Sequence, residues 1–271
     1  MTYVALITGA SSGIGEATAR RLSREPDTQL VLVARRQDRL ERLAAELAPT
    51  HATVLAADLT DAGAPARIRE ALQRDHGGEL HMLVNNAGAA WRGSFRETGW
   101  ANVERHLKLN FEAPLRLTEA LLPMLRATAA GGPGERTRRV VRVKASRNTG
   151  RVSRPCSGGY SASKFALAGW TDALYAEERE HGVHVGLVLP GFVPTEGFPA
   201  SELLDHPPTR WLVGDVRTVA QAILDAGPGG APERYAPRPY RIAAALRIIA
   251  PALVRRATAG GRFTTRTGAR D

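Results

Sequence analysis

The feature that most constrains how this chain can fold is an alternation. Short apolar runs recur along it: "YVALIT" (3–8), "QLVLVA" (29–34), "ATVLAA" (52–57), "HMLVN" (81–85), "RVVRV" (139–143) and "VHVGLVLP" (183–190). Most are continuous and rich in Val and Leu, the pattern of strands buried on both faces. Between them lie stretches with helical character at 13–25, 36–47, 61–75, 102–129 and 160–181, with a further helix at 216–226. Asp61, after Thr60, is a capping candidate for the third. Pro114 and Pro123 predict kinks or breaks in the fourth. Strand–helix alternation on this scale predicts an α/β fold, a Rossmann-type doubly wound parallel sheet in a single domain. Residues 191–215 form a long loop with three aromatics among prolines, and a loop of that length inside a domain is usually a lid or binding loop.

Charge divides the chain unevenly. The net charge is +10, yet residues 234–271 hold nine arginines and one acid, so the first 233 residues carry +2. The expected organisation is a domain over 1–233 followed by a basic C-terminal helical extension over 234–271. Of 37 basic residues three are lysines, so the arginine excess reads as genome composition rather than selection for nucleic acid, and no nucleic-acid-binding motif supports that class. The tail segment 240–257 mixes apolar residues with arginines. It is expected to lie on the body or a partner subunit, with peripheral contact to anionic lipid as the alternative. No run reaches the roughly 18 apolar residues of a membrane span. A single cysteine, Cys156, excludes an internal disulfide and fits a reducing compartment. With no basic n-region and apolar h-region at the start, a cytoplasmic location is expected. The seven histidines form no metal-ligand cluster, so no metal is expected.

Two short segments carry chemistry. "TGASSGIG" (8–15) follows a strand and opens a helix, where Gly9, Gly13 and Gly15 let backbone approach a pyrophosphate seated on the helix N-terminus. "YSASK" places Tyr160 and Lys164 four residues apart, on one helix face. A free tyrosine is a poor acid–base at neutral pH, but a neighbouring ammonium stabilises the phenolate and lowers the pKa. Such a tyrosine can exchange a proton with a carbonyl oxygen.

The glycine spacing G-x-x-x-G-x-G resembles that of the short-chain dehydrogenase/reductase family. "NNAG" (85–88), Asn110 in "KLNFEAP", "YSASK" and "PGFVPT" (190–195) occur in the family's order, and the resemblance spans residues 3 to about 227. It implies that Tyr160 is the proton donor or acceptor, with Lys164 tuning it and holding the nicotinamide ribose. Asn110 would tie a water chain to that lysine. The cofactor would be held by Gly9, Ser11, Ser12, Gly13, Ile14 and Gly15 of the first turn. Asp58 and Leu59 would meet the adenine, with a helix cap the competing role for Asp58. Asn85, Ala87 and Gly88 would line the fourth strand's end, and Pro190, Gly191, Val193 and Thr195 would close over the nicotinamide. The family also pairs through its long helices, so a homo-oligomer is expected.

The second strand ends "LVARR". Ala34 stands where an acid would favour the unphosphorylated cofactor, and Arg35 and Arg36 follow, which suits a 2′-phosphate. The expected cofactor is therefore NADP(H). The family's carbonyl-binding serine lies thirteen residues before the tyrosine and three before a glycine. Both counts reach Arg147, and Ser146 is one place early. Either a bulge re-aims Ser146, or Arg147 replaces the serine. The first account is adopted, with Ser146 catalytic. The second implies a cofactor-binding protein of weak or no turnover. Trp91, Phe95, Phe192, Phe198 and Trp211 lie in segments bordering such a site and imply a mainly apolar small-molecule ketone or secondary alcohol.

Overall fold

The computed structural model describes residues 2–131, 151–153, 155–196 and 213–259, together with the backbone of 140–145. Among them a parallel sheet of seven strands forms. They are β1 (Tyr3–Thr8), β2 (Thr28–Ala34), β3 (Ala52–Ala56), β4 (Met82–Asn85), β5 (Val140–Ala145), β6 (Val183–Pro190) and β7 (Glu233–Ala236). Their order is β3-β2-β1-β4-β5-β6-β7. The chain therefore winds outward from β1 to β3, then returns to β4 and winds the other way, which puts the switch point between β1 and β4.

Alternate residues of β1 feed opposite faces, as the two-residue strand period requires. Tyr3, Ala5 and Ile7 join one core with Ala19 and Leu22 of α1 (Gly13–Leu22), Leu40 and Leu43 of α2 (Gln37–Glu46), and Val219 and Ile223 of α7 (Val216–Ala226). Val4 and Leu6 join the other with Ile68 and Leu72 of α3 (Ala64–His76) and Leu117, Leu121 and Leu125 of α5 (Ala113–Ala130). α6 (Gly158–Glu178) covers β6 through Ala168, Leu187 and Leu189. Arg126 of α5 donates to both oxygens of the buried Glu178 carboxylate, at 2.9 and 2.7 Å, and so ties α5 to α6.

The helix expected over 102–129 is differently built. α4 (Phe95–Leu107) opens on a reciprocal capping box of Ser94 and Glu97 but is kinked at Gly99, whose backbone is non-helical (φ 57°, ψ −159°). The unbroken helix therefore starts just beyond Gly99; it passes through a π-helical turn at Lys108–Glu112 and continues as α5. The signature Ser-x-x-Glu was present in the sequence. Pro114, at the start of α5 directly after the π-helical turn, causes no break. α3 starts later than expected: Asp61 accepts the Gly63 N–H at 3.0 Å in a turn ahead of the helix, and Gly63 occupies the cap position. β5 runs to Ala145, two residues beyond the expected end.

β7 has no clear apolar signature, with Glu233 and Arg234 in its four residues, and it straddles the 233/234 division drawn from charge. Leu187 to Pro190 of β6 pair with Glu233 to Ala236. α8 (Tyr240–Ile249) and α9 (Pro251–Ala259) follow. The Tyr240 ring rests on Gly191, where even a Cβ would lie 2.2 Å from it. The sheet and its packing thus continue into the basic segment.

Candidate active site

A cleft of about 650 Å³ opens at the carboxyl ends of the strands, at the switch point where ligands of open α/β sheets bind. Its floor is stapled by Thr8. The Thr8 hydroxyl donates to the Val84 carbonyl at 3.2 Å and accepts the N–H groups of Asn86 at 2.9 Å and Ala87 at 3.0 Å. Asn86 returns the contact, donating to the Thr8 carbonyl at 3.0 Å. The end of β4 is thereby held against the first glycine turn. Neither Thr8 nor Asn86 was singled out in the sequence, although both sit inside the quoted motifs.

Gly9, Ser11, Ser12, Gly13 and Ile14 line the cleft, whereas Gly15 is buried in the first turn of α1 behind them. The Ser12 hydroxyl does not cap α1, so the helix's first amides are left to another acceptor. The hydroxyls of Ser11 and Ser12 instead accept from Arg36, Ser11 at 3.3 and 3.2 Å and Ser12 at 3.0 Å. Arg36 also pairs with Glu196 at 2.9 Å, and Arg39 reaches the same carboxylate at 2.8 and 3.1 Å. The two guanidiniums, Arg39 foremost, hold Glu196 below the usual carboxylate range. Arg35 lines the cleft beside them. Arg39 and Glu196 carried no sequence signal, because their meeting depends on a loop 157 residues away.

Asp58, Leu59 and Thr60 line the same end. Asp58 accepts from the Thr60 N–H at 2.9 Å and hydroxyl at 2.7 Å, and these bonds hold its carboxyl below the ordinary range. The local turn role considered for Asp58 is therefore present alongside its place on the cleft. Ala87 and Gly88 face the cleft, but the Asn85 side chain is buried and donates away from it, to Thr118 at 3.3 Å.

At the other end Tyr160 and Lys164 line the cleft, both nearly buried, with Nζ 5.6 Å from the tyrosine ring centre. Asn110, fully buried in the π-helical turn, accepts the Ala89 N–H at 3.0 Å, donates to the Ala89 carbonyl at 2.9 Å and meets the Ser163 hydroxyl at 3.3 Å. Gly88 lies between the groups. A Cβ there would stand 2.8 Å from Asn110 Oδ1 and 3.3 Å from Lys164 Nζ, so the three residues converge on one point. Pro190 and Thr195 line the cleft, while Val193 turns into the core and Gly191 packs under Tyr240. Ser146 and Arg147 lie outside the described residues, as do Phe198 and Trp211.

Trp91 lines the cleft, with the Arg105 guanidinium 3.9 Å above its ring, whereas Phe95 is 70% exposed and away from it. Behind Tyr160 sits His106, which sequence reasoning missed. Its Nε2 accepts the Trp91 N–H at 2.9 Å, so the proton resides on Nδ1, which donates to the Asn102 carbonyl at 2.6 Å. Its ring packs edge-on to Tyr160 at 5.9 Å, and burial pushes its pKa down.

The geometry fits a dinucleotide: a glycine turn at an uncapped helix start, a cationic corner beyond β2 and a Tyr/Lys pair at the far end. Comparison with known proteins agrees with that outline. The family model described as short chain dehydrogenase matches residues 3–202. A dehydrogenase/reductase SDR family protein 7-like protein of Anopheles gambiae is 35% identical over 199 residues, covering 71% of this chain and 59% of that protein. The chain thus spans less than two thirds of that relative's length. A short-chain dehydrogenase structure from Streptomyces avermitilis superposes with a TM-score of 0.75 at 26% identity, covering 98% of this chain and 99% of that one. A short chain dehydrogenase from Burkholderia cenocepacia, solved in complex with NADP, gives 0.77 at 23% identity, covering 97% and 98%. The motifs, the switch-point cleft and these matches together place the chain in the short-chain dehydrogenase/reductase family of oxidoreductases.

Proposed function

We propose that this protein transfers a hydride between NADP(H) and a ketone or secondary alcohol of mainly apolar character. The observation that carries the reading is the shared cleft, with Tyr160 and Lys164 at one end and the Arg36-braced glycine turn at the other. When bound, the nicotinamide supplies or accepts the hydride. The chain's own residues handle the proton and the positions. The Tyr160 hydroxyl gives its proton to the substrate oxygen in reduction and recovers it in oxidation. The Lys164 ammonium favours the phenolate. Asn110 holds Ala89 by both its N–H and its carbonyl, fixing the cleft wall beside Lys164. His106, kept neutral by burial, supports the tyrosine ring from behind. Ser146 donates to the carbonyl oxygen. Arg35 and Arg36 take the 2′-phosphate, and the uncapped start of α1 takes the pyrophosphate. A homo-oligomer in the cytoplasm completes the proposal; exposed Trp100 on α4 and Phe165 on α6 support subunit pairing.

The test uses NADPH and a panel of apolar ketones. Tyr160→Phe is expected to lower turnover by at least about 10² while NADPH binding, read by fluorescence, stays near native. Ser146→Ala is expected to do the same, by about 10², and Arg147→Ala to be mild. Native turnover in Tyr160→Phe would sink the proposal. Full turnover in Ser146→Ala, with Arg147→Ser raising it, would move the serine's place to 147.

A further inference from the structure

Five of the eight large exposed hydrophobic side chains among the described residues fall within α8 and α9: Ile242, Leu246, Ile248, Ile249 and Leu253, from 43% to 80% exposed. They are not scattered. On α8, Ile242, Leu246 and Ile249 follow the i, i+4, i+7 spacing of one helix face. The opposite face holds Tyr240 and Ala244, which are buried against the body. Val254 and Thr258 of α9 line a separate cavity with Val152, Ser153 and Pro155. The hairpin is thus attached by one side and presents an apolar side outward, and none of its residues lines the dinucleotide cleft.

Charge decides what covers that side. Residues 234–270 hold nine arginines and no acid. A second copy meeting this face with its own hairpin would bring the same arginines to the seam and no carboxylate from that hairpin to pair with them. An anionic lipid surface supplies the missing charge, and arginine stems reach headgroups while their apolar neighbours enter the interface. With ten and nine residues, separated at Ala250, the helices can lie on a bilayer, and no helix of the described residues is long and apolar enough to cross one.

We propose that the α8–α9 hairpin seats this protein on an anionic lipid surface, with Ile242, Leu246, Ile248, Ile249 and Leu253 entering the interface. The proposal is independent of the hydride-transfer reading.

The test is sedimentation of the full chain with vesicles of phosphatidylcholine containing about a third phosphatidylglycerol, set against phosphatidylcholine alone. The expected result is binding to the first and not the second, weakening as salt rises. The double variant Ile248→Glu/Ile249→Glu is expected to lower the partition coefficient at least about tenfold. Because both residues are exposed, its melting temperature and NADPH affinity should stay native. No binding to the anionic vesicles, equal binding to both kinds, or full binding by the double variant overturns the proposal. So does a native oligomer that the double variant splits while the vesicles bind neither protein, which would give the face to a second copy.

Discussion

Arg36 shows how one residue's role depends on its surroundings. In the sequence it is the second of two arginines after β2; in the structure it alone of the pair is fastened to Ser11 and Ser12 and shares Glu196 with Arg39. A phosphate arriving at this corner meets a guanidinium already aimed and must compete with a carboxylate for it. NADPH is therefore expected to bind at least about tenfold more tightly than NADH, or ~1.4 kcal/mol. Arg36→Ala should erase most of that gap. Glu196→Gln should widen it only slightly, because the pair is solvent-exposed. Titration calorimetry of the three proteins with both cofactors measures this, and equal affinities in the native protein would refute the assignment of the corner. Between Ser146 and Arg147 the register decides, since a shift of one residue along a strand end turns a side chain to the other face.

Among the elements, the run of α4 into α5 through their π-helical turn does the most to shape the site. Its π-helical turn carries Asn110 inward, and one turn earlier His106 is locked between the Trp91 N–H and the Asn102 carbonyl. At the end of α3, His76 bridges Gln29 of β2 at 3.0 Å and Thr53 of β3 at 3.1 Å. Burial holds both histidines below their ordinary pKa near 6.5, with the neighbouring His51 adding to the effect at His76. As pH falls through about 6.5, the unfolded chain takes up these protons before the folded one does. The stability they contribute is therefore complete above about 6.5 and is lost as pH falls toward the folded values. Denaturant unfolding at about pH 7.5 and about pH 5.5 should show the drop, and His106→Gln and His76→Gln should each flatten it. A slope unchanged in both variants would mean that other groups carry the dependence.

At the scale of the molecule, charge and packing divide the chain differently. The basic composition begins at residue 234, but β7 pairs with β6 across that point, and Arg151 donates to Glu233 at 2.8 Å and to Asp172 of α6 at 3.3 Å. Ending the chain after residue 233 removes most of β7 and the buried Tyr240, and is expected to cost at least about 3 kcal/mol of stability. Ending it after Ala250 should leave the melting temperature close to native, because α9 buries none of its residues. Equal melting of the two truncations would show that β7 and Tyr240 contribute little. Six of the seven strands, the order of the motifs and the Tyr160/Lys164 pair were legible from residues alone, because strand burial and a four-residue helical spacing are local patterns. So was the cationic ending of β2. The strand β7, the Glu196 bridge, the neutral His106 behind Tyr160 and the inward turn of Asn85 away from the cleft were not. Each rests on a contact between segments distant in sequence, and a side chain's partner across such a distance is set by how the helices and strands stack.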